Sequence, residues 1–314
     1  MTRNHGHTHK EQIEAKAAGQ SVLAHLLSRG GPATEADWRA RLDDGEVQLD
    51  EVRASPEQKL RAGQWLTWAR PPWVEPAVPL CAAVLYEDAD LLAVAKPRGL
   101  PTMPGGGEFL EHTLLNLVRR RRPGATPMHR LGRATSGLVL FARTADAGRQ
   151  MQQAFRERRV RKLYRALCSG TPARDRFTID APIGEVPHPL LGTVHGASEE
   201  GKPSRSHVRV LERRDANPGI PGSAGQALVE VEIETGRPHQ IRIHLAFAGH
   251  ALCGDPLYGK GGLPFSVALP GDPGYFLHAY RLELPHPRTG EPLLIECAPP
   301  PALRTSEQSV GVFS

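Results

Sequence analysis

The stretch Pro71-Pro72-Trp73-Val74-Glu75-Pro76 constrains the fold of this chain more than any other. Proline fixes φ, carries no backbone donor and pushes the preceding residue into extended geometry. No helix and no central strand runs through such a segment, so it reads as a linker between a short front part and a long rear part. The 314 residues suffice for one large domain or two smaller ones.

Residues 1–20 are polar and hold His5, His7 and His9 without an apolar core, so they read as a disordered tail rather than a signal peptide. Residues 21–77 read as a small domain. Val22, Leu23, Leu26 and Leu27 have helical spacing, and Trp38 and Leu42 lie four apart on a second helix. Gly45 to Asp50 alternates like a strand, and Leu60 to Leu66 reads as a turn into another.

A second domain is expected over 78–304, with a C-terminal tail at 305–314. Leu91-Leu92-Ala93-Val94-Ala95 and Leu138-Val139-Leu140-Phe141-Ala142 are short apolar runs of buried-strand type. Val229, Val231 and Ile233 alternate with Glu230, Glu232 and Glu234, as in a half-buried strand. Helices are expected near 109–120, 145–156 and 239–249, and surface loops at 215–226 and 259–274. The fold class is α+β, with a mixed, largely antiparallel sheet.

The formal charge is only +5, but it is clustered. Arg119 to Arg122 form one run, and Arg156, Arg158, Arg159, Arg161, Lys162 and Arg165 crowd a second segment. Such clusters suit a polyanion, because each cation placed at a phosphate releases condensed counterions; a solvated charged face is the structural alternative. The four cysteines, Cys81, Cys168, Cys253 and Cys297, have neither metal-ligand spacing nor a disulfide pattern, which fits a reducing cytoplasm. No apolar run is long enough to cross a bilayer. Gly105-Gly106-Gly107 lacks the Lys-Ser/Thr of a P-loop and reads as a turn.

Six blocks in the rear part occur in a telling order. They are Leu91 to Leu100 after Leu85-Tyr86-Glu87-Asp88, His129-Arg130-Leu131-Gly132-Arg133-Ala134-Thr135-Ser136-Gly137-Leu138, and Lys162-Leu163-Tyr164-Arg165-Ala166. Then come Gly236-Arg237-Pro238-His239-Gln240-Ile241-Arg242, Gly254 to Gly259, and Leu277-His278-Ala279 with His286-Pro287. Together they resemble the RluA-type RNA pseudouridine synthases. The front part resembles, more weakly, the S-four-like RNA-binding module that often precedes that catalytic domain; a generic α+β appendage accounts for it equally.

The resemblance implies a cofactor-free, metal-free isomerase that turns uridine into pseudouridine in structured RNA, either rRNA or tRNA. It also implies a monomer. It places an aromatic platform at Tyr164, a carboxylate-pairing guanidinium at Arg242 and an apolar pocket wall at Leu277. Arg130, two residues before position 132, is placed to enter the gap left by a flipped base. Lys96, Arg237 and the segment Arg158, Arg159, Arg161, Lys162 are candidate phosphate contacts, which position RNA without reading its sequence.

One departure stands at the centre. The resemblance puts a catalytic Asp where this chain has Gly132, and glycine supplies neither nucleophile nor base. A buried Arg242 without an anion would cost several kcal/mol, roughly, so another carboxylate, an RNA phosphate or a solvent ion should face it. For a replacement catalytic carboxylate, Asp255 and Glu234 lie in matched blocks and Asp146 lies just downstream of the motif, though each would serve structure equally well. The readings left open are a synthase with a displaced catalytic group, an inactive RNA-binding or RNA-folding factor, and a protein that has lost both roles. A glycosidase would need two facing carboxylates, and no such pair is visible.

Overall fold

The computed structural model describes residues 3–29, 33–105, 108–190, 192–215, 225–268 and 274–310. The chain forms two compact units, one of residues 1–76 with 105–111, the other of 77–104 with 112–314.

The first unit comprises β1 (His7–Gln12), α1 (Val22–Ser28), α2 (Glu35–Asp43), β2 (Val47–Leu49), β3 (Val52–Arg53) and β4 (Trp65–Arg70). Its sheet runs β1-β4-β2-β3, every pair antiparallel. Thr34 caps α2 through a reciprocal bond with Asp37, the pattern that closes two open backbone donors at once. Val22, Leu23, Leu26, Trp38 and Leu42 join Val47, Leu49 and Leu66 in one core.

Two expectations are corrected in this unit. Residues 7–20 are not a tail: β1 pairs along its whole length with β4, and Ile13 and Ala17 are buried. The strand is polar because it is an edge, with side chains mostly in solvent, so composition hid it. The proline-rich junction is not a free linker. Glu75 is 5% exposed and accepts from Asn4 Nδ2 and the Glu111 amide, both at 2.8 Å.

The second unit contains β5 (Ala83–Glu87), β6 (Leu91–Lys96), α3 (Leu114–Arg119), β7 (Thr126–Pro127), β8 (Ser136–Ala142), α4 (Ala145–Arg156), β9 (Arg161–Ser169) and β10 (Arg176–Ile179). It continues with β11 (Ile183–His188), β12 (Gly192–Ala197), β13 (Ser206–Arg214), β14 (Gln226–Ile233), α5 (Gln240–Phe247), β15 (Leu277–Pro285), β16 (Pro292–Glu296) and α6 (Ser306–Val310). The main sheet runs β10-β13-β14-β9-β15-β8-β6-β5, with β16 on β15 and β7 on β8; β11 and β12 form a separate hairpin. Among the described residues only β15 and β8 pair in parallel.

Alternate residues of the central strands enter two different cores. Leu92, Val94, Val139, Phe141, Tyr164, Ala166, Val229 and Val231 lie in one. Leu91, Ala93, Leu138 and Leu140 lie in the other, with Met151 and Ala154 of α4. Burial on both faces explains why these strands read as unbroken apolar runs. The expected 109–120 helix shortens to α3, because Thr113 caps it by accepting from the Asn116 amide. Residues 306–310 form α6 rather than a tail, with the Ser306 amide donating to Glu212. Residues 216–224 and 269–273 of the expected loops, with 106–107 and 311–314, lie outside the described residues.

The β8–β15 joint decides where the functional blocks meet. Gly137 has φ +112°, and a Cβ there would lie 2.6 Å from the Ala279 amide nitrogen. Ser136 Oγ bonds His278 Nδ1 at 2.9 Å, and His278 Nε2 donates to the Cys297 carbonyl at 3.0 Å. The Thr-Ser-Gly block is therefore fastened to the Leu-His-Ala block. Gly137→Ala should lower stability by about 3 kcal/mol or prevent folding, read from the urea midpoint; a midpoint equal to the parent's would show that the strands can part without cost.

Candidate active site

Arg242 sits on α5, a helix whose residues Gln240 to Ala246 are all buried. The helix start is tied down by Gln240. Its Oε1 accepts from the Thr235 hydroxyl and the Arg237 amide, and its Nε2 donates to Ser206 Oγ and the Arg205 carbonyl. His244 adds a bond to Ser206 Oγ and one to the Ala181 carbonyl. His239 Nδ1 donates to Tyr258 Oη, which donates onward to the His195 carbonyl. Burial, with Arg242 nearby, pushes the His239 imidazole down to about 3, so it is neutral.

The anion that faces Arg242 is Asp255. Arg242 Nε and Nη2 donate to its two oxygens at 2.8 and 2.7 Å, and the side chains are 5% and 1% exposed. Asp255 also accepts from the Leu257 and Tyr258 amides. Two rings flank the guanidinium, Tyr258 at 4.9 Å and Tyr275 at 4.2 Å from their centroids. Gly254 and Gly274 bring these segments together, since a Cβ on Gly254 would lie 2.5 Å from the Gly274 carbonyl oxygen.

Gly132 is exposed, but the space its Cβ would take is not empty. Tyr275 Oη would lie 2.9 Å from that Cβ and is 3.2 Å from Thr135 Oγ1. Tyr164 and Leu277 share a core cluster with Tyr275, Leu131 and Ala134, and adjacent pairing of β9 and β15 puts them on one sheet face. Tyr164 Oη makes no hydrogen bond among the described residues, and burial pushes its phenol up to about 12. It stays protonated at neutral pH and can donate to a ligand. Tyr275 thus meets both Arg242 and the Gly132 position, and Tyr164 and Leu277 lie in the same core cluster as Tyr275. Tyr275 was not singled out from sequence; its one signal is a position two residues before Leu277, the same side of an extended chain.

Several expected phosphate contacts are placed differently. Lys96 is 1% exposed, and its ammonium donates to the carbonyls of Pro97, Leu100 and Arg133. It therefore braces the loop before the site and cannot reach a phosphate. The Arg158 to Lys162 segment is largely neutralised. Glu234 lies 3.6 Å from Arg158, Glu157 holds Arg159, and Glu232 with Glu283 holds Arg161. Lys162 is half-buried, and burial lowers its pKa. Arg237 leans on the Pro203 carbonyl at 3.4 Å. Arg130 is exposed and has no ion-pair partner among the described residues. Asp88, Asp90 and His286 lie close enough to share a cation, but Tyr86, His286 and Arg288 already bond these carboxylates. They fasten the opening block to the closing one.

Residues 90–247 match the RNA pseudouridylate synthase family. The chain belongs to that family. It is 43% identical to an uncharacterized RNA pseudouridine synthase of Synechocystis sp., over 86% of this chain and 91% of the relative. RNA pseudouridine synthase 5 of Arabidopsis thaliana is 37% identical over 96% and 95%. Ribosomal large subunit pseudouridine synthase D of Nitrosomonas europaea is 33% identical over 92% and 83%. Among solved structures, human RNA pseudouridylate synthase domain containing 1 superposes with a TM-score of 0.57 at 26% identity, over 76% of this chain and 97% of that one. The α+β expectation and the family resemblance both hold.

Three expectations follow for the site. Asp255→Asn leaves a buried guanidinium without its anion and should cost about 3–5 kcal/mol, seen as a lower thermal midpoint; an unchanged midpoint would mean that the pair is dispensable. Arg130→Gln should reduce the salt dependence of RNA binding by about one counterion at constant stability. Lys96→Met should do the reverse, losing about 2 kcal/mol of stability with the salt slope intact. A reduced slope for Lys96→Met in filter binding would refute its bracing role.

Proposed function

We propose that this chain isomerises uridine to pseudouridine in structured RNA at the site formed by Gly132, Tyr164, Arg242 and Leu277. The observation that carries the reading is the buried Arg242, held in a bidentate pair with Asp255 and aimed between two tyrosine rings beside the exposed Gly132. A structural arginine could be replaced by an apolar side chain. This one is positioned by a helix whose Gln240 and His244 side chains are both hydrogen-bonded.

The target base leaves its stack, which costs a few kcal/mol, roughly. Tyr164 offers a flat face to the uracil and a free hydroxyl to its edge, and Leu277 closes the apolar side. Arg130 is the exposed cation next to the entrance and would take the place of the flipped base or hold a flanking phosphate. Ribosomal RNA is the first substrate class to try, since relatives at this level of identity are named for the large ribosomal subunit. The first unit serves as an S-four-like RNA-binding module, and the protein works as a cytoplasmic monomer.

The test is tritium release from C5-tritiated uridine in total RNA from a strain lacking the gene. The parent should release tritium, and Tyr164→Phe should release it about 100-fold more slowly. A silent parent, beside a known synthase that releases tritium from the same RNA, would overturn the reading.

A further inference from the structure

Resting on that function, the structure assigns a further catalytic residue: we propose that Tyr275 Oη is the reacting oxygen of this site, in the place that the family resemblance gives to a carboxylate at position 132. Three observations converge on it. The hydroxyl lies where the first side-chain atom of any residue at 132 would begin, 2.9 Å from the Cβ position. Gly132 itself is exposed, while Tyr275 is 3% exposed and its hydroxyl meets Thr135 Oγ1 at 3.2 Å. The ring lies against the Arg242 guanidinium, 4.2 Å from its centroid.

The acidic residues do not compete for the role. Asp255 is 1% exposed, and its oxygens already receive two guanidinium and two amide donors. Such a carboxylate, with its lone pairs taken by four donors, is a poor nucleophile. Its work is to hold Arg242 against the Tyr275 ring. Glu234 lies between Arg158, Arg205 and His207, and Asp146 is an exposed residue in the first turn of α4. Of the other two phenols, Tyr164 is held protonated by burial, and Tyr258 donates its hydroxyl proton to the His195 carbonyl.

The step balances without a further reactant. Tyr275 Oη attacks C1′ of the flipped uridine as the C1′–N1 bond breaks, and the phenolic proton passes to N1. The free uracil turns on Tyr164. C5 then attacks C1′, the C1′–Oη bond breaks, and the pair returns to oxygen. The C5 proton restores the phenol and exchanges with water. Gly132 is what makes room, because any side chain there displaces the oxygen.

The experiment uses the full chain and the tritium assay with RNA-binding measured in parallel. Tyr275→Phe should slow release at least 100-fold while RNA affinity and the thermal midpoint stay close to the parent's. Gly132→Asp should also lose activity. Replacing Tyr275 with difluorotyrosine, a more acidic phenol of nearly the same shape, should move the alkaline limb of the pH–rate profile to lower pH, because the step uses the protonated phenol. A purely structural tyrosine would leave that limb in place. With an active parent, near-parental release by Tyr275→Phe, a gain of activity in Gly132→Asp, or an unmoved limb would each overturn the proposal. A silent parent would instead remove the function on which it rests.

Discussion

A guanidinium held inside the protein by one carboxylate organises this site. Arg242 and Asp255 are both nearly inaccessible, and neither would be tolerated there alone. Their pairing dictates much else. The α5 helix must be anchored at its start, which Gln240 and His244 do through Ser206. The 254–258 turn must fold back on itself, so its amides bond the same carboxylate. The strand entering β15 must pass close by, which the facing glycines at 254 and 274 permit. Three separate sequence blocks thus become one object around a single ion pair.

The fold was legible where burial leaves a periodic trace. The runs at 91–95 and 138–142 and the alternation at 229–233 became β6, β8 and β14, because a strand in the sheet interior has few compositional choices. Legibility failed where the stabilising partner is distant. β1 is polar, and nothing local marks it as a strand; its bonds come from β4, more than fifty residues on. The proline-rich junction likewise looks free until Asn4 and Glu111 are seen on Glu75.

At the site, residue types proved more readable than their partners. The need for an anion opposite Arg242 followed from desolvation alone, and Asp255 meets it. Charge runs were less informative, since a lysine or arginine looks the same in sequence whether it meets a phosphate, a carboxylate or a carbonyl cage. Lys96 and Arg161 show the difference. One is enclosed by three carbonyls, and the other is held between Glu232 and Glu283 on neighbouring strands. Only strand register brings those acids to Arg161, and register is set by the whole sheet.

Space explains why glycine and tyrosine belong together here. Asp255 is already on Arg242, and a side chain at 132 would begin 2.9 Å from the Tyr275 hydroxyl. The phenol packs its ring on the cation and needs room that a side chain at 132 would crowd. The bare position at 132, the tyrosine at 275 and the fully engaged carboxylate at 255 are therefore one arrangement, and each is intelligible only through the other two.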